Sequence, residues 1–412
     1  MKKLIIIGGG FAGLRLAREL RNRNFEIWLF DKNNYHQFQP LFYQVATCGL
    51  DSSSISFPLR KVFQGYKNVH IRNAEVQRVD SVAQTIQTNI GVFTYDYLVI
   101  ATGATTNFFG SEEIEKNSIP MKSTSEALYL RNRLLQNFED ALSDKENLQA
   151  YLNIVVVGGG ATGVEVSGSL AEMKKHILPK DYPEIDFSKM NIYLVEAGPK
   201  TLSAMSANAS AKSQHYLEKL GVHVYTGTSV KNYDGRTVVL STGKNIESRI
   251  LIWAAGIRGN TISGIPPELI LPGNRIAVDE FNRMKGSRTI FVLGDIACMQ
   301  SSAYPKGHPQ VATVAIAQAR HLAKNLKKGE ETMQPFIYKD KGSMATVGRN
   351  LAVVDLPFIK FGGWLAWLFW MFLHLMLVLS VKNKVLIFVN WVWKYFTFDQ
   401  SLRLIVKPFR KN

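Results

Sequence analysis

At 412 residues the chain is too long for one simple core, and two or three domains are the natural expectation. Its 46% hydrophobic and 20% charged residues describe folded material, and two cysteines, Cys48 and Cys298, exclude a disulfide framework, a four-thiolate zinc site and an iron–sulfur cluster on the usual four cysteines. The formal charge of +16 suits nucleic acid, an anionic membrane surface or anionic cofactors. With no zinc finger, basic zipper or aromatic RNA-binding signature beside it, nucleic acid is set aside as a partner.

The chain opens on K-K-L-I-I-I-G-G-G-F-A-G, Lys2 to Gly13. Leu4 to Ile7 suit a strand buried on both faces, and the strand runs into a G-x-G-x-x-G turn at Gly8, Gly10 and Gly13. The glycines serve a tight turn, close approach of backbone N–H groups to a pyrophosphate, and close helix–strand contact. Helical spacing follows, and a second apolar run, Ile27 to Phe30, ends in Asp31, 23 residues after Gly8, where an acid that binds a ribose hydroxyl belongs. The apolar run is too short for a secretion signal, so a cytoplasmic start is expected.

Asn33 to Thr47 is rich in aromatics and amides and reads as a loop turning into a helix, suited to the wall of a cofactor pocket or to an ordinary packed connection. Val69–Ile71 and Glu75–Val79 read as short strands, and Gln84–Gln87 with Val92–Tyr95 as a hairpin. Tyr97 to Ala104 is another buried strand that ends in the small-residue turn Ala101-Thr102-Gly103. Polar Asn107 to Lys122 suits a crossing between domains, and Ser125 to Leu148 has helical spacing.

The opening then recurs as N-I-V-V-V-G-G-G-A-T-G, with Gly158, Gly160 and Gly163 in the three glycine positions. The next strand, Ile192–Val195, ends in Glu196, 38 residues after Gly158, a spacing lengthened by an insertion at His176 to Met190. An acid here accepts from a free ribose 2′-hydroxyl and repels a 2′-phosphate, which favours NADH over NADPH. A single dinucleotide explains the first turn, and the second needs another. Ile250 to Gly256 echoes the A-T-G turn, Thr289 to Ala297 carries Gly294-Asp295, and Pro309 to Leu326 reads as a small-residue helix.

Phe361 to Ser380 holds 20 residues without formal charge, about 30 Å as a helix. Val381 to Lys384 breaks it, and Val385 to Phe396 is apolar again but too short to span. A spanning helix, a buried core helix and a lipid-dipping hairpin compete for this tail. Trp364, Trp367, Trp370, Trp391 and Trp393 suit an interface, and Lys382, Lys384, Lys394, Arg403, Lys407, Arg410 and Lys411 suit anionic lipid. His374 reads as a packing or interface residue.

The two turns, A-T-G and G-D resemble the two-dinucleotide flavoproteins of glutathione reductase-like architecture. The stretch Y-H-Q-F-Q-P-L-F-Y-Q-V-A-T and the C-terminal G-S-M-A-T-V-G-R-N resemble one branch, the single-subunit type II NADH:quinone oxidoreductases (alternative NADH dehydrogenases). The likeness covers nearly the whole chain. It implies an α/β fold of two Rossmann-like dinucleotide-binding domains plus a C-terminal membrane-associating helical segment. The expected division is 1–122 and 257–335 for the two parts of the FAD-binding domain, 123–256 for the NADH-binding domain, and 336–412 for the membrane anchor.

Carried over by position, Gly8, Gly10, Gly13, Asp31, Ala101, Thr102, Gly103 and Asp295 are implied to hold FAD, and Gly158, Gly160, Gly163 and Glu196 to hold NADH. Glu165 matches the family's glutamate near the flavin, implicated in the nicotinamide and quinone steps. Its alternative role is capping or packing at the helix start. The family's quinone-side helix carries A-Q-x-A-x-Q, whereas Thr313 and Ala317 stand at the glutamine positions here and Gln318 follows one residue later, about 100° round the helix. Gln318 is taken with Glu165 as the catalytic pair. No metal site is expected.

The implied activity passes hydride from NADH to FAD and two electrons on to a membrane quinone, menaquinone or ubiquinone, without proton pumping, in a respiratory chain. The implied location is the cytoplasmic face of the inner membrane, peripheral or monotopic, on an anionic lipid surface, with a homodimer left open. The rivals are a sulfide:quinone oxidoreductase, which needs cysteines beside the flavin, and a membrane-tethered flavoprotein with an interaction role.

Overall fold

The computed structural model describes residues 1–400 and 402–406. The chain forms two compact units, each gathered from three stretches. The first comprises Met1–Gln37, Phe57–Thr105 and Ile257–Asp340, and the second Phe38–Ser56, Thr106–Gly256 and the chain from Lys341 onward.

In the first unit the apolar runs build a five-stranded parallel sheet in the order Ile290–Val292, Tyr97–Ile100, Lys2–Ile7, Phe25–Asp31, Val69–Asn73. The opening strand is central: Ile7 lies opposite Phe30 on one side and Ile100 on the other. Its neighbours come from later in the chain on both sides, so the strand order reverses beside it. In α/β sheets the carboxyl ends at such a switch point are where ligands bind. The expected hairpin is present, with Thr85–Thr88 antiparallel to Gly91–Thr94.

The second unit repeats the plan. Its parallel sheet runs Ile119–Pro120, Ile250–Trp253, Asn153–Val157, Asn191–Val195, Val222–Tyr225, again with the strand before the glycine turn at the centre. Asn107 to Lys122 is therefore more than a polar crossing. It contains the helix Glu112–Asn117, capped by the Ser111 side chain, and the edge strand of this sheet. The helix expected over Ser125 to Leu148 runs Thr124–Ser143.

From Lys341 the chain adds an antiparallel three-stranded sheet, Ser343–Gly348, Leu351–Asp355 and Lys360–Gly362, and two helices. The helix Ala161–His176 lies directly on the first of these strands. A Cβ on Gly168 would stand 1.4 Å from the Val347 carbonyl oxygen, so only a glycine permits this approach.

The apolar tail departs from its expected form. Phe361 and Gly362 finish a strand, and the helix is Trp364–Leu377, 14 residues or about 21 Å. Among the described residues no helix is long and apolar enough to cross a membrane. The break falls at 378–380 rather than at Val381 to Lys384, which are the first turn of the helix Val381–Thr397. The reason is Asn383: its side-chain amide is buried and donates to the Ser54 carbonyl at 2.9 Å and to the Ser53 carbonyl at 3.2 Å, which docks the start of that helix. Lys407, Arg410 and Lys411 lie outside the described residues.

Candidate functional site

The first glycine turn is a cradle built by exclusion. Gly8 has φ +103°, and a Cβ there would meet the Ala101 carbonyl oxygen at 2.3 Å, which is why the A-T-G turn can approach it. A Cβ on Gly13 would lie 1.9 Å from the Gly8 carbonyl oxygen, whereas one on Gly10 meets nothing within 4 Å. Gly10 thus faces open space at the start of the helix Phe11–Leu20, whose first N–H groups have no side-chain cap. Uncapped donors at a helix N-terminus that nothing crowds are what a pyrophosphate needs.

Asp31 stands at the rim. One carboxylate oxygen accepts from the Gly9 N–H and the other from the Asn33 N–H, both at 2.6 Å. Burial raises its pKa, and the two N–H groups oppose that rise. Behind the turn, the His36 Nδ1 is 3.0 Å from the Gly9 carbonyl oxygen, and the ring packs edge-on against Phe11. Burial pushes the His36 pKa down to about 4.

The same unit brings the remaining expected residues to this cradle. Thr102 exchanges two hydrogen bonds with Asn260, donating its hydroxyl at 2.6 Å and accepting at its carbonyl at 3.1 Å. A Cβ on Gly294 would touch those of Ala12 and Ala315 at 3.6 and 3.4 Å, so the Gly294–Asp295 turn sits against both helices. Gln318 is buried, and its side-chain oxygen accepts from the Gly294 N–H at 2.8 Å. It braces that turn. Sequence reasoning did not single out His36 or Asn260 individually, because neither belongs to the glycine pattern.

The second cradle repeats the glycine geometry of the first. Gly158 has φ +106° and would clash with Ala254, a Gly163 Cβ would lie 1.8 Å from the Gly158 carbonyl oxygen, and Gly160 faces open space. Glu196 holds the Gly159 N–H at 2.5 Å and the Gly198 N–H at 2.6 Å. Where His36 meets the first cradle, the backbone N–H of Leu202 donates to the Gly159 carbonyl at 2.7 Å.

About one turn along the helix beyond this cradle is a cavity lined entirely by residues of the second unit. Glu165 lines it together with Tyr43, Thr346, Trp370, Trp391 and Lys394. Glu165 is 8% exposed. Burial drives its pKa well above the carboxylate range, and the Thr346 backbone N–H and the Trp370 indole offset only part of the rise. The cavity thus places a buried carboxyl, its pKa raised by desolvation, among aromatic side chains. Tyr43 and Gln44, in the expected pocket-wall stretch, form one side on the helix Phe42–Ala46.

Both cysteines are free and buried. Burial pushes the Cys48 thiol up to about 11, where the thiolate nucleophile is scarce. His374 is packing, as expected: its Nδ1 is 2.8 Å from the Trp370 carbonyl oxygen, its ring stacks on Trp370, and burial lowers its pKa to about 4.

Two glycine cradles on two parallel sheets, with an acid at each rim, define a two-dinucleotide oxidoreductase. The family model for pyridine nucleotide-disulphide oxidoreductases matches residues 2–319, and that for the NDH2 C-terminal domain matches 341–398. A type II NADH:quinone oxidoreductase of Mycobacterium tuberculosis is 34% identical over 94% of this chain and 87% of its own length. One from Staphylococcus aureus is 29% identical over 85% and 88%. The fold superposes on NDH2 of Plasmodium falciparum, solved with NADH, with a TM-score of 0.89 at 22% identity, over 98% of this chain and all of that one. Against the sulfide:quinone oxidoreductase of Aquifex aeolicus the TM-score is 0.72 at 19% identity, over 99% and 96%. The chain belongs to the type II NADH:quinone oxidoreductases, within the pyridine nucleotide-disulphide oxidoreductase family.

Proposed function

We infer that the chain oxidises NADH and reduces a quinone, with FAD on the first cradle and NADH on the second, without proton pumping. The observation that carries this reading is the pairing of two like cradles, one per unit, with a buried Glu165 on the helix that continues from the second. FAD, when bound, supplies the redox chemistry, accepting hydride from NADH and giving two electrons to the quinone.

The residues of the chain bind, orient and hold protons. Gly8, Gly10 and Gly13 admit the FAD pyrophosphate, Asp31 meets its ribose, and Ala101–Gly103 and Asp295 complete the site. Gln318 acts on it by fixing the Gly294 N–H. Gly158, Gly160 and Gly163 admit the NADH pyrophosphate, and Glu196 selects a free ribose 2′-hydroxyl. Glu165 holds the proton that the reduced quinone takes up. The quinone head group enters the aromatic cavity beside it.

Lipid is the source of that quinone. The two C-terminal helices expose Trp364, Phe372, Val381, Trp393 and Phe396, an apolar surface suited to one leaflet of a membrane on its cytoplasmic face. Lys382 and Lys384 suit the head groups. Lys394 and Arg403 serve the protein instead, in ion pairs with Glu172 at 3.6 Å and Asp181 at 2.6 Å. A second copy on part of the same surface would make a homodimer.

Anaerobic stopped-flow tests the reading in two halves. NADH is expected to bleach the flavin, and ubiquinone-1 added afterwards to restore its colour. Absence of bleaching defeats the NADH half, and absence of recovery defeats the quinone half. Cys48→Ser with Cys298→Ser is expected to retain both, and loss of either returns the sulfide:quinone reading to contention.

A further inference from the structure

The wall of the cavity carries a hydrogen-bond chain with a fixed direction. It starts at Trp391, whose indole N–H donates to Gln44 Oε1 at 2.7 Å. An indole can only donate, so it fixes which end of the Gln44 amide faces it. The other end, Nε2–H, then donates to the Tyr43 hydroxyl oxygen at 2.8 Å. Tyr43 accepts there, and its own O–H hydrogen must leave in another direction. Among the described residues no protein acceptor takes it.

Tyr43 is 7% exposed, and its ring packs edge-on against Trp370 at 6.3 Å, so the phenol lies out of bulk water. A buried donor with no acceptor is costly, on the order of 1–3 kcal/mol, unless something in the cavity accepts. Burial also raises the pKa of the phenol well above its ordinary value of 10.

We propose that Tyr43 is a catalytic residue that donates its hydroxyl hydrogen bond to a carbonyl oxygen of the quinone, with Gln44 and Trp391 as the residues that aim it. The inference rests on the reading that a quinone occupies this cavity. As two electrons arrive, negative charge builds on that oxygen, and a donor already aimed at it stabilises the charge without reorganising. Tyr43 keeps its proton throughout, and the protons that complete the hydroquinone come from elsewhere, Glu165 among the sources. Nothing in the sequence singles out this chain, because 347 residues separate Gln44 from Trp391.

The test uses the flavin-loaded enzyme in anaerobic stopped-flow, with NADH as reductant and either ubiquinone-1 or ferricyanide as oxidant. Ferricyanide takes electrons without presenting a carbonyl oxygen. Tyr43→Phe is expected to slow reoxidation by ubiquinone-1 about tenfold or more, leaving reduction by NADH and reoxidation by ferricyanide as in the wild type. If Tyr43→Phe fails to fold, Trp391→Phe carries the test, since it frees the Gln44 amide to turn while leaving the phenol in place. Its expected signature is the same selective loss, smaller in size. Unchanged reoxidation by ubiquinone-1, or an equal loss with ferricyanide, overturns the inference. A wild-type flavin that ubiquinone-1 never reoxidises overturns the quinone reading itself, and the inference with it.

Discussion

The two glycine cradles differ less in themselves than in what surrounds them. Both have a first glycine at φ above +100°, a third glycine whose Cβ would strike the carbonyl of the first, and an acid clipped to the N–H of Gly9 or Gly159. The carbonyl of that residue, however, meets an imidazole at Gly9 and a backbone N–H at Gly159. The helices that follow differ too. Phe11–Leu20 ends after 10 residues, whereas Ala161–His176 runs on for 16, presses Gly168 against Val347 and carries Glu165 into the cavity. One turn geometry is therefore set in two different surroundings, and on the proposed function these serve two tasks, holding FAD and receiving NADH.

Alanine at the third glycine should separate these tasks most sharply. Gly163→Ala is expected to keep the flavin and lose its reduction by NADH, on the order of a thousandfold or more, because a Cβ 1.8 Å from a carbonyl forces the turn open. Gly13→Ala is expected to lose the flavin itself, read from its visible absorbance. If both variants behave alike, the two cradles do not have separate ligands.

Acid should act next, and at the first cradle rather than the second, with His374 titrating in the same range away from both. The folded pKa of His36 is about 4 against an ordinary value of 6.5, so the unfolded chain binds the proton first as pH falls. Stability contributed by the neutral ring is present above pH 6.5 and is lost progressively toward pH 4, up to about 3 kcal/mol. Flavin release followed by fluorescence should rise across that window, and His36→Asn should flatten the rise. NADH binding at the second cradle has no imidazole to lose.

Smaller effects follow at the acids. Glu165→Gln removes the buried proton donor and is expected to slow quinone reduction about ten- to a hundredfold while flavin reduction stays within a few-fold. If both rates are unchanged, Glu165 is a packing residue. Glu196→Ala should raise KM for NADH about tenfold and narrow the preference over NADPH, measured as the ratio of kcat/KM for the two. Asp31→Ala, the matching change, should leave that ratio alone.

What the sequence determined by itself is whatever lies within a short stretch of chain. Both cradles were legible because strand, turn and helix are contiguous, and because glycine spacing states directly where a Cβ cannot be. The rim acids were legible from their distance along the chain. Tertiary structure alone decided the rest, since it depends on which distant surfaces meet. Gly168 reads as an ordinary helix glycine until Val347 lies against it. Gln318 stands one residue off the family's pattern, yet it finds the Gly294 N–H. The break in the apolar tail fell at 378–380 because Asn383 found carbonyls more than 300 residues away, an anchor that hydropathy cannot register. The hydroxyl of Tyr43 acquired its direction in the same way, from a tryptophan at the far end of the chain.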